Sequence, residues 1–259
     1  MSAAPTSTGA LLLVPNTLDL GTESVDLQAV LPLDVIRRAA ALLHWVVEDA
    51  RSARAFLKRV DALVPLAQTL QTTDIRELPR PRKGSNAPVT NAEWAALLAP
   101  ALAGRDIGLL SEAGLPAVAD PGAALVAAAH SAGVRVIALP GASSLLLALA
   151  ASGLNGQSFA FVGYLPQDAG PRTSRIKELE ALSKRMAQTQ LMIETPYRNA
   201  ALLAALLAAL APSTRLSISC GLTLPEGWSR SDSVAGWRQR PPVMPDRIPA
   251  VFAILAASG

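Results

Sequence analysis

A single cysteine, Cys220, stands among the 259 residues, so no disulfide can close within the chain. With only two histidines beside it, no Cys/His cluster has zinc-like spacing, and no metal site is expected. The longest apolar run, Ala200 to Ala211, falls far short of the ~20 residues that cross a bilayer. Its helical spacing fits a buried element, and no membrane contact is expected. The opening Met-Ser-Ala-Ala-Pro-Thr-Ser-Thr has no basic segment followed by an apolar one, so no secretory leader is expected either. Together with the lone thiol this points to a reducing cytoplasm. Gly-x-Gly-x-x-Gly, a Walker-type Gly-Lys-Ser/Thr and His-Glu-x-x-His are all missing, which argues against Rossmann dinucleotide, P-loop and zinc-protease chemistry. Aromatics are scarce at 4%, and the charge imbalance is only +3.

What the chain has in quantity is Ala and Leu, punctuated by Gly and Pro, a composition that favours helices packed on a sheet. Strand candidates are Leu11–Val14, His44–Val47, Asp106–Leu110, Val134–Leu139, Phe159–Leu165, Gln190–Glu194, Arg215–Cys220 and Pro249–Ala256. Helical patterns lie between them: Asp34–Leu42, Ala50–Val60, Asn91–Ala103 with Thr90 as cap, Ser143–Ala151, a charged one near Ser174–Met186, and an apolar one over Pro196–Ala211. Asp120-Pro121 reads as a helix start, with Asp120 as cap, and the helix stops at Gly133. Trp228 and Trp237 flank Ser229–Gly236, read as an irregular loop or small hairpin. The alternation predicts an α/β protein with mostly parallel sheets, in two α/β domains over residues 1–139 and 140–259. Arg/Lys clusters at Arg51, Arg54, Lys58 and Arg59, at Arg76–Lys83 and at Arg172–Lys177 are either solvated faces or phosphate-tracking surfaces. The Arg/Pro-rich Leu78–Pro88 reads as an exposed loop.

Ligands of open α/β sheets bind beyond the carboxyl ends of the strands. Three loops stand there: Val14-Pro-Asn-Thr-Leu-Asp-Leu-Gly21, Ser111-Glu-Ala-Gly-Leu-Pro-Ala-Val-Ala-Asp-Pro-Gly122 and Pro140-Gly-Ala-Ser-Ser144. Their small side chains admit close approach to the backbone, and helix N-termini offer N–H donors. The last of the three reads equally as a tight turn with an N-cap.

The sequence Ser111–Gly122 resembles the Ser-Asp-Ala-Gly-Thr-Pro-x-x-x-Asp-Pro-Gly signature of the tetrapyrrole-methylase superfamily, in its ribosomal RNA small-subunit methyltransferase I branch. Val47-Glu-Asp-Ala-Arg51, Pro140–Ser144, Ala151-Ser-Gly153, Gly163-Tyr-Leu-Pro166 and Glu194-Thr-Pro-Tyr-Arg198 follow in the family's order. The resemblance implies two α/β domains with S-adenosylmethionine in the cleft between them, commonly in a homodimer. It implies cofactor contacts at Pro15, Asn16, Ala113, Gly114 and Pro116, and at Ser143, Ser144, Glu194 and Thr195. Backbone around Cys220, Gly221, Pro249 and Ala250 would close over the adenosine.

The departures are specific. The first loop lacks the family's Pro-Ile-Gly-Asn core, Glu112 replaces Asp and Leu115 replaces Thr. Cys220-Gly-Leu-Thr-Leu224 stands where the family has Arg-Glu-Leu-Thr-Lys. The chain therefore reads as a divergent paralogue. The resemblance implies methyl transfer to RNA, at a ribose 2′-oxygen of ribosomal RNA. Transfer to a tetrapyrrole or other small molecule, and a non-catalytic cofactor-binding or assembly role, remain the alternatives. A ribose hydroxyl gains from a proton acceptor, for which Glu48 or Asp49 is the candidate, with Arg51 on a phosphate. The competing reading makes Asp49 a helix cap. Tyr197 and Arg198 are substrate-facing candidates, or else a Pro-initiated helix with an exposed Arg. His44, His130 and Cys220 read as structural.

Overall fold

The computed structural model describes residues 8–19, 25–79 and 89–257. Leu20 and Gly21 of the first loop and residues 80–88 of the Arg/Pro-rich stretch lie outside them. The chain forms two compact units, divided between Ala142 and Ser143.

In the N-terminal unit the elements run β1 (Ala10–Val14), α1 (Leu27–Val30), α2 (Leu33–Ala41), β2 (His44–Val47), α3 (Ala50–Asp61), β3 (Asp74–Glu77), α4 (Asn91–Leu102), β4 (Ile107–Leu110), α5 (Ala123–Ser131) and β5 (Arg135–Ala138). The strands form one sheet in the order β3-β2-β4-β1-β5, with every neighbouring pair parallel. Alternation sends Leu12, Val14, Trp45 and Val47 to one face, where they pack with α2 and α3. Leu11, Val46, Ile107 and Leu109 face the other way, onto α4 and α5. The chain thus leaves β1 and β4, which are neighbours, toward opposite faces. That divergence opens a crevice beyond their carboxyl ends.

The C-terminal unit runs α6 (Ser144–Ser152), β6 (Phe159–Phe161), α7 (Ala169–Met186), β7 (Thr189–Glu194), a 3-10 turn (Pro196–Arg198), α8 (Asn199–Ala209), β8 (Arg215–Cys220), β9 (Trp228–Ser233), α9 (Val234–Gln239) and β10 (Ala250–Leu255). Its sheet has the order β6-β7-β10-β8-β9. One face packs Met192, Ile218, Phe252 and Ile254 against α7, α8 and Trp237 of α9. The other face meets α6 through Leu191, Val251 and Ala253, and the β8 residues paired with Val251 and Ala253 are Ser219 and Ser217.

Several expectations are corrected. The second sheet is not mostly parallel: β10 inserts antiparallel between β7 and β8, and β9 pairs antiparallel with β8. Residues 229–236 are neither loop nor hairpin but the end of β9 and the start of α9. Asp120 does not cap α5; Gly122, at φ 129°, is its N-cap, because the chain is still turning through left-handed Ala117 and Ala119. The strand at Phe159 ends by Phe161, shortly before left-handed Gly163 and Pro166. The apolar helix begins at Asn199, after the 3-10 turn. Thr90 does cap α4, in a reciprocal box with Glu93.

Candidate functional site

The loops after β1 and β4 are knitted together by Asn16. Its side-chain amide donates to the carbonyls of Ser111 and Glu112, at 3.1 and 3.0 Å. Its backbone N–H donates to the Gly114 carbonyl at 2.8 Å, and its Oδ1 accepts from the Thr17 N–H at 2.8 Å. Gly114 takes φ 66°, and a Cβ there would stand 3.2 Å from Leu18 and 3.4 Å from the Ala142 carbonyl. Gly141 lies so close to Pro15 that a Cβ would fall 2.4 Å from its ring. Pro15, Asn16, Gly114 and Pro116 are all buried, and Ala113 is half-buried. The Ser111 hydroxyl is buried with no hydrogen-bond partner among the described residues. Ala117 and Ala119, both non-glycine residues at positive φ, complete a backbone kept from relaxed geometry, as ligand-binding loops often are.

Beside these loops opens a cavity of ≈ 610 Å³. Asn16, Thr17, Glu112 and Ala113 form one wall, with Asp49 and α3 opposite. Ser52, Ala55, Phe56 and Arg59 recur on one helical face, and Arg51 stands at the edge. Arg59 is fixed: it pairs with Asp19 at 3.1 Å and donates to the Val25 carbonyl at 2.7 Å and to Thr17 Oγ1 at 3.3 Å. Thr17 in turn donates to Asp19 at 2.7 Å. Arg51 is exposed.

Carboxylates gather at the same strand ends. Asp49 caps α3, its Oδ1 accepting from the Ser52 N–H at 2.8 Å and the Ser52 hydroxyl at 3.0 Å. Glu48 accepts from the Glu112 N–H at 3.1 Å, and the Ser52 hydroxyl, with one proton for the two carboxylates, also lies 3.1 Å from Glu112. Burial, and then the charges of Glu48 and Glu112, push the Asp120 carboxyl up to about 7. A group titrating there suits proton exchange at neutral pH.

In the C-terminal unit, strand pairing brings the expected residues side by side. Ala250 faces Glu194 on β7 and Cys220 on β8, so Thr195, Pro249 and Gly221 share that end of the sheet. Glu194 is buried, accepts from the Thr195 N–H at 2.8 Å and pairs with Arg198 at 2.8 Å. Arg198 also donates to the Leu165 carbonyl at 3.3 Å and is not an exposed surface residue, because this pair turns it inward. Tyr197 is 79% exposed. The Cys220 side chain joins the helix-facing core, where burial pushes its thiol up to about 12. Ser143 is buried and Ser144 half-buried at the start of α6, and Ser143 makes no side-chain capping bond.

Thr17, Ser52, Phe56 and Arg59 were not singled out from sequence as site residues, and Asp120 was read only as a cap. The spacing of Ser52, Ala55, Phe56 and Arg59 on one helical face is the signal that marks most of them. His44 sits at the opposite end of the sheet, its Nδ1 3.1 Å from Asp74. Although burial works to raise it, Asp74 is held below its ordinary value by hydrogen bonds from Arg76 and His44. Among the described residues no cluster of His, Cys, Asp and Glu could hold a metal ion, and no helix is long and apolar enough to cross a membrane.

The Tetrapyrrole (Corrin/Porphyrin) Methylases family matches residues 29–227, a span that takes in α3, the β4 loop and the Glu194 turn. The chain belongs to this family. Ribosomal RNA small subunit methyltransferase I of Mesorhizobium japonicum is 39% identical over 127 residues. That match covers 49% of this chain and 42% of the relative, so less than half of the relative's length is spanned. Among solved structures, the methyltransferase CobJ gives a TM-score of 0.54 at 19% identity, over 96% of this chain and 95% of the other. The uroporphyrin-III C-methyl transferase from Thermus thermophilus, complexed with S-adenyl homocysteine, gives 0.52 at 19% identity, over 95% and 97%. These likenesses establish the tetrapyrrole methylase fold of two α/β domains.

Proposed function

We propose that the chain is an S-adenosylmethionine-dependent methyltransferase acting on RNA, at a ribose 2′-oxygen of ribosomal RNA. The observation that carries the reading is the Asn16-knitted pair of loops bordering a cavity of mixed polar and apolar lining at the switch between β1 and β4. The residues present fit the cofactor. Gly114 and Gly141 let the loops after β1, β4 and β5 pack closely on one another, and the buried Ser111 hydroxyl has donor and acceptor capacity in hand. Pro15, Asn16, Ala113, Gly114 and Pro116 are assigned to hold it in the N-terminal unit. For the C-terminal unit the assignment is Ser143, Ser144, Glu194, Thr195, Cys220, Gly221, Pro249 and Ala250, which rests on the resemblance. When bound, the cofactor supplies an electrophilic sulfonium methyl group.

The chain's own work is placement and proton handling. The cavity beside α3 takes the acceptor, with Arg51 on a phosphate and Phe56 as an apolar floor. Glu48 or Asp49 accepts the proton of the attacking hydroxyl, and Asp120 is the neighbour able to exchange it near neutral pH. Tyr197 faces substrate while Arg198 holds its turn. Assembly as a homodimer in the cytoplasm belongs to the same reading, and light scattering tests the dimer.

One observation favours the non-catalytic alternative: an oxygen of Asp49 and one of Glu48 are both engaged in structural hydrogen bonds. Titration calorimetry with S-adenosylmethionine and S-adenosylhomocysteine, followed by methyl transfer to ribosomal RNA and to a porphyrinoid, separates the readings. Absence of binding at millimolar ligand overturns every cofactor-dependent role. Binding without transfer to either acceptor favours the non-catalytic one, and transfer to the porphyrinoid alone moves the substrate to tetrapyrroles. Gly114→Trp is expected to abolish binding; retained affinity would show the cofactor misplaced.

A further inference from the structure

Arg51, Arg54 and Lys58 lie on one outward stripe of α3, at spacings i, i+3 and i+7. All are exposed, and among the described residues Arg54 reaches only the Ala50 carbonyl of its own helix, at 3.3 Å. No salt bridge joins any of the three to a carboxylate among the described residues. The acidic groups near the two helix ends are engaged by other donors: Asp49 caps the helix, Glu48 accepts from the Glu112 N–H, Glu112 lies 3.1 Å from the Ser52 hydroxyl, Glu77 accepts from the Ala50 N–H at 2.9 Å, and Asp61 from the Leu66 N–H at 3.0 Å. Arg59, the residue after Lys58, differs in being neutralised by Asp19. The same helix presents its adjoining face, Ser52 to Arg59, to the cavity, with Arg51 at the edge between the two faces. At 1.5 Å rise per residue, the stripe runs about 10 Å from the cavity's rim down the outside of the helix.

We propose that Arg51, Arg54 and Lys58 form a track for the phosphate backbone of a single RNA strand whose acceptor nucleotide enters the cavity. The proposal rests on the reading of that cavity as an acceptor site. A compact carboxylated ring inside the cavity would meet Arg51 and leave Lys58 untouched. A chain bearing a charge at every residue engages the whole stripe, gaining from the release of its counterions. Cations with no carboxylate to satisfy are the ones that contribute this way, since a paired Arg must first be parted from its partner.

The test is the salt dependence of binding a fluorescent single-stranded RNA of about 12 nucleotides, within the span single-strand sites cover, to the full chain saturated with S-adenosylhomocysteine. Between about 50 and 200 mM salt, log K falls linearly with log salt, at about 0.7 per phosphate contact in a single strand. Arg54→Gln/Lys58→Gln should lower the slope by about 1.4, and Arg51→Gln alone by about 0.7. Unchanged thermal midpoints and S-adenosylhomocysteine affinity exclude a folding effect. An unchanged slope in the double variant overturns the track and leaves the methyltransferase reading standing. Wild-type chain that binds S-adenosylhomocysteine but no RNA overturns both the track and RNA as acceptor, leaving the cofactor. Should S-adenosylhomocysteine fail to bind, the titration without it still decides the track.

Discussion

Arg59 of α3 and Asp19 of the loop after β1 form a 3.1 Å ion pair whose carboxylate is fully buried. With Asn16 tying the same loop to the β4 loop, one side of the cavity is fixed from two directions. Arg59→Met should lower stability in urea by about 3–5 kcal/mol, the range for breaking one side of a buried pair. Arg59→Met/Asp19→Asn should cost less than Arg59→Met alone, because no buried charge is then left behind. A single-variant loss below about 1 kcal/mol would count the pair among surface contacts.

The Asp120 carboxyl, at about 7 in the folded chain against 3.8 ordinarily, makes stability depend on pH. Between those values the folded state holds a proton that the unfolded state has lost. The group's stabilisation is therefore full below about pH 4 and fades as pH rises through 7. Asp120→Asn should raise the thermal midpoint by about 2–4 °C at about pH 8, roughly 1 kcal/mol once solvent screening is allowed for. At about pH 4 the variant and the wild type should coincide. An equal shift at both pH values would mean that titration is not the cause.

Contact between Gly141 and Pro15 leaves no room for a methyl group. Gly141→Ala should displace the start of the first loop and weaken S-adenosylhomocysteine binding by about tenfold or more, equal to about 1.4 kcal/mol. Gly156→Ala, where nothing lies within 4 Å, is the matched control and should bind normally. Equal calorimetric affinities for both variants would separate the loop from the cofactor.

Asp49 carries two assignments that substitution can separate. Asp49→Ala should cost about 1 kcal/mol through loss of the α3 cap, while Asp49→Asn keeps the cap. Glu48→Gln should lower kcat about 10²-fold with the thermal midpoint unchanged if Glu48 is the proton acceptor. Full turnover in both Glu48→Gln and Asp49→Asn would remove that role from the pair.

Elements with strong local signals were readable from sequence. The α3 helix, with Phe56, Leu57 and Val60 buried at helical spacing, and the apolar β1, β2 and β4 stand within a residue or two of their expected places. β9 was not legible, because Trp-Ser-Arg-Ser-Asp-Ser has little apolar alternation. As an edge strand its stability comes from pairing with β8, and from Arg230 lying 4.2 Å above the Trp237 ring. β3, Asp-Ile-Arg-Glu, is an edge strand of the same kind. The antiparallel insertion of β10 is a long-range pairing with no local signature. Of the residues assigned to the cofactor, Gly114 was marked by its motif, whereas Pro15 stands in a loop that lacks the family's core. Arg59 was hidden among basic neighbours, since its difference from Lys58 lies in a partner forty residues away.

Ser217 and Ser219 are the side chains that β8 offers to α6. They behave as a shim. The height at which Ser143 and Ser144 stand over the sheet depends on what lies beneath α6, namely Leu191, Val251 and Ala253 and, beside them, these two small strand positions. Replacement by Val would lift the helix and carry both serines with it while leaving their loop sequence untouched. If the two serines meet the cofactor as proposed, a substitution in the sheet beneath the helix would alter that contact without a change in either serine.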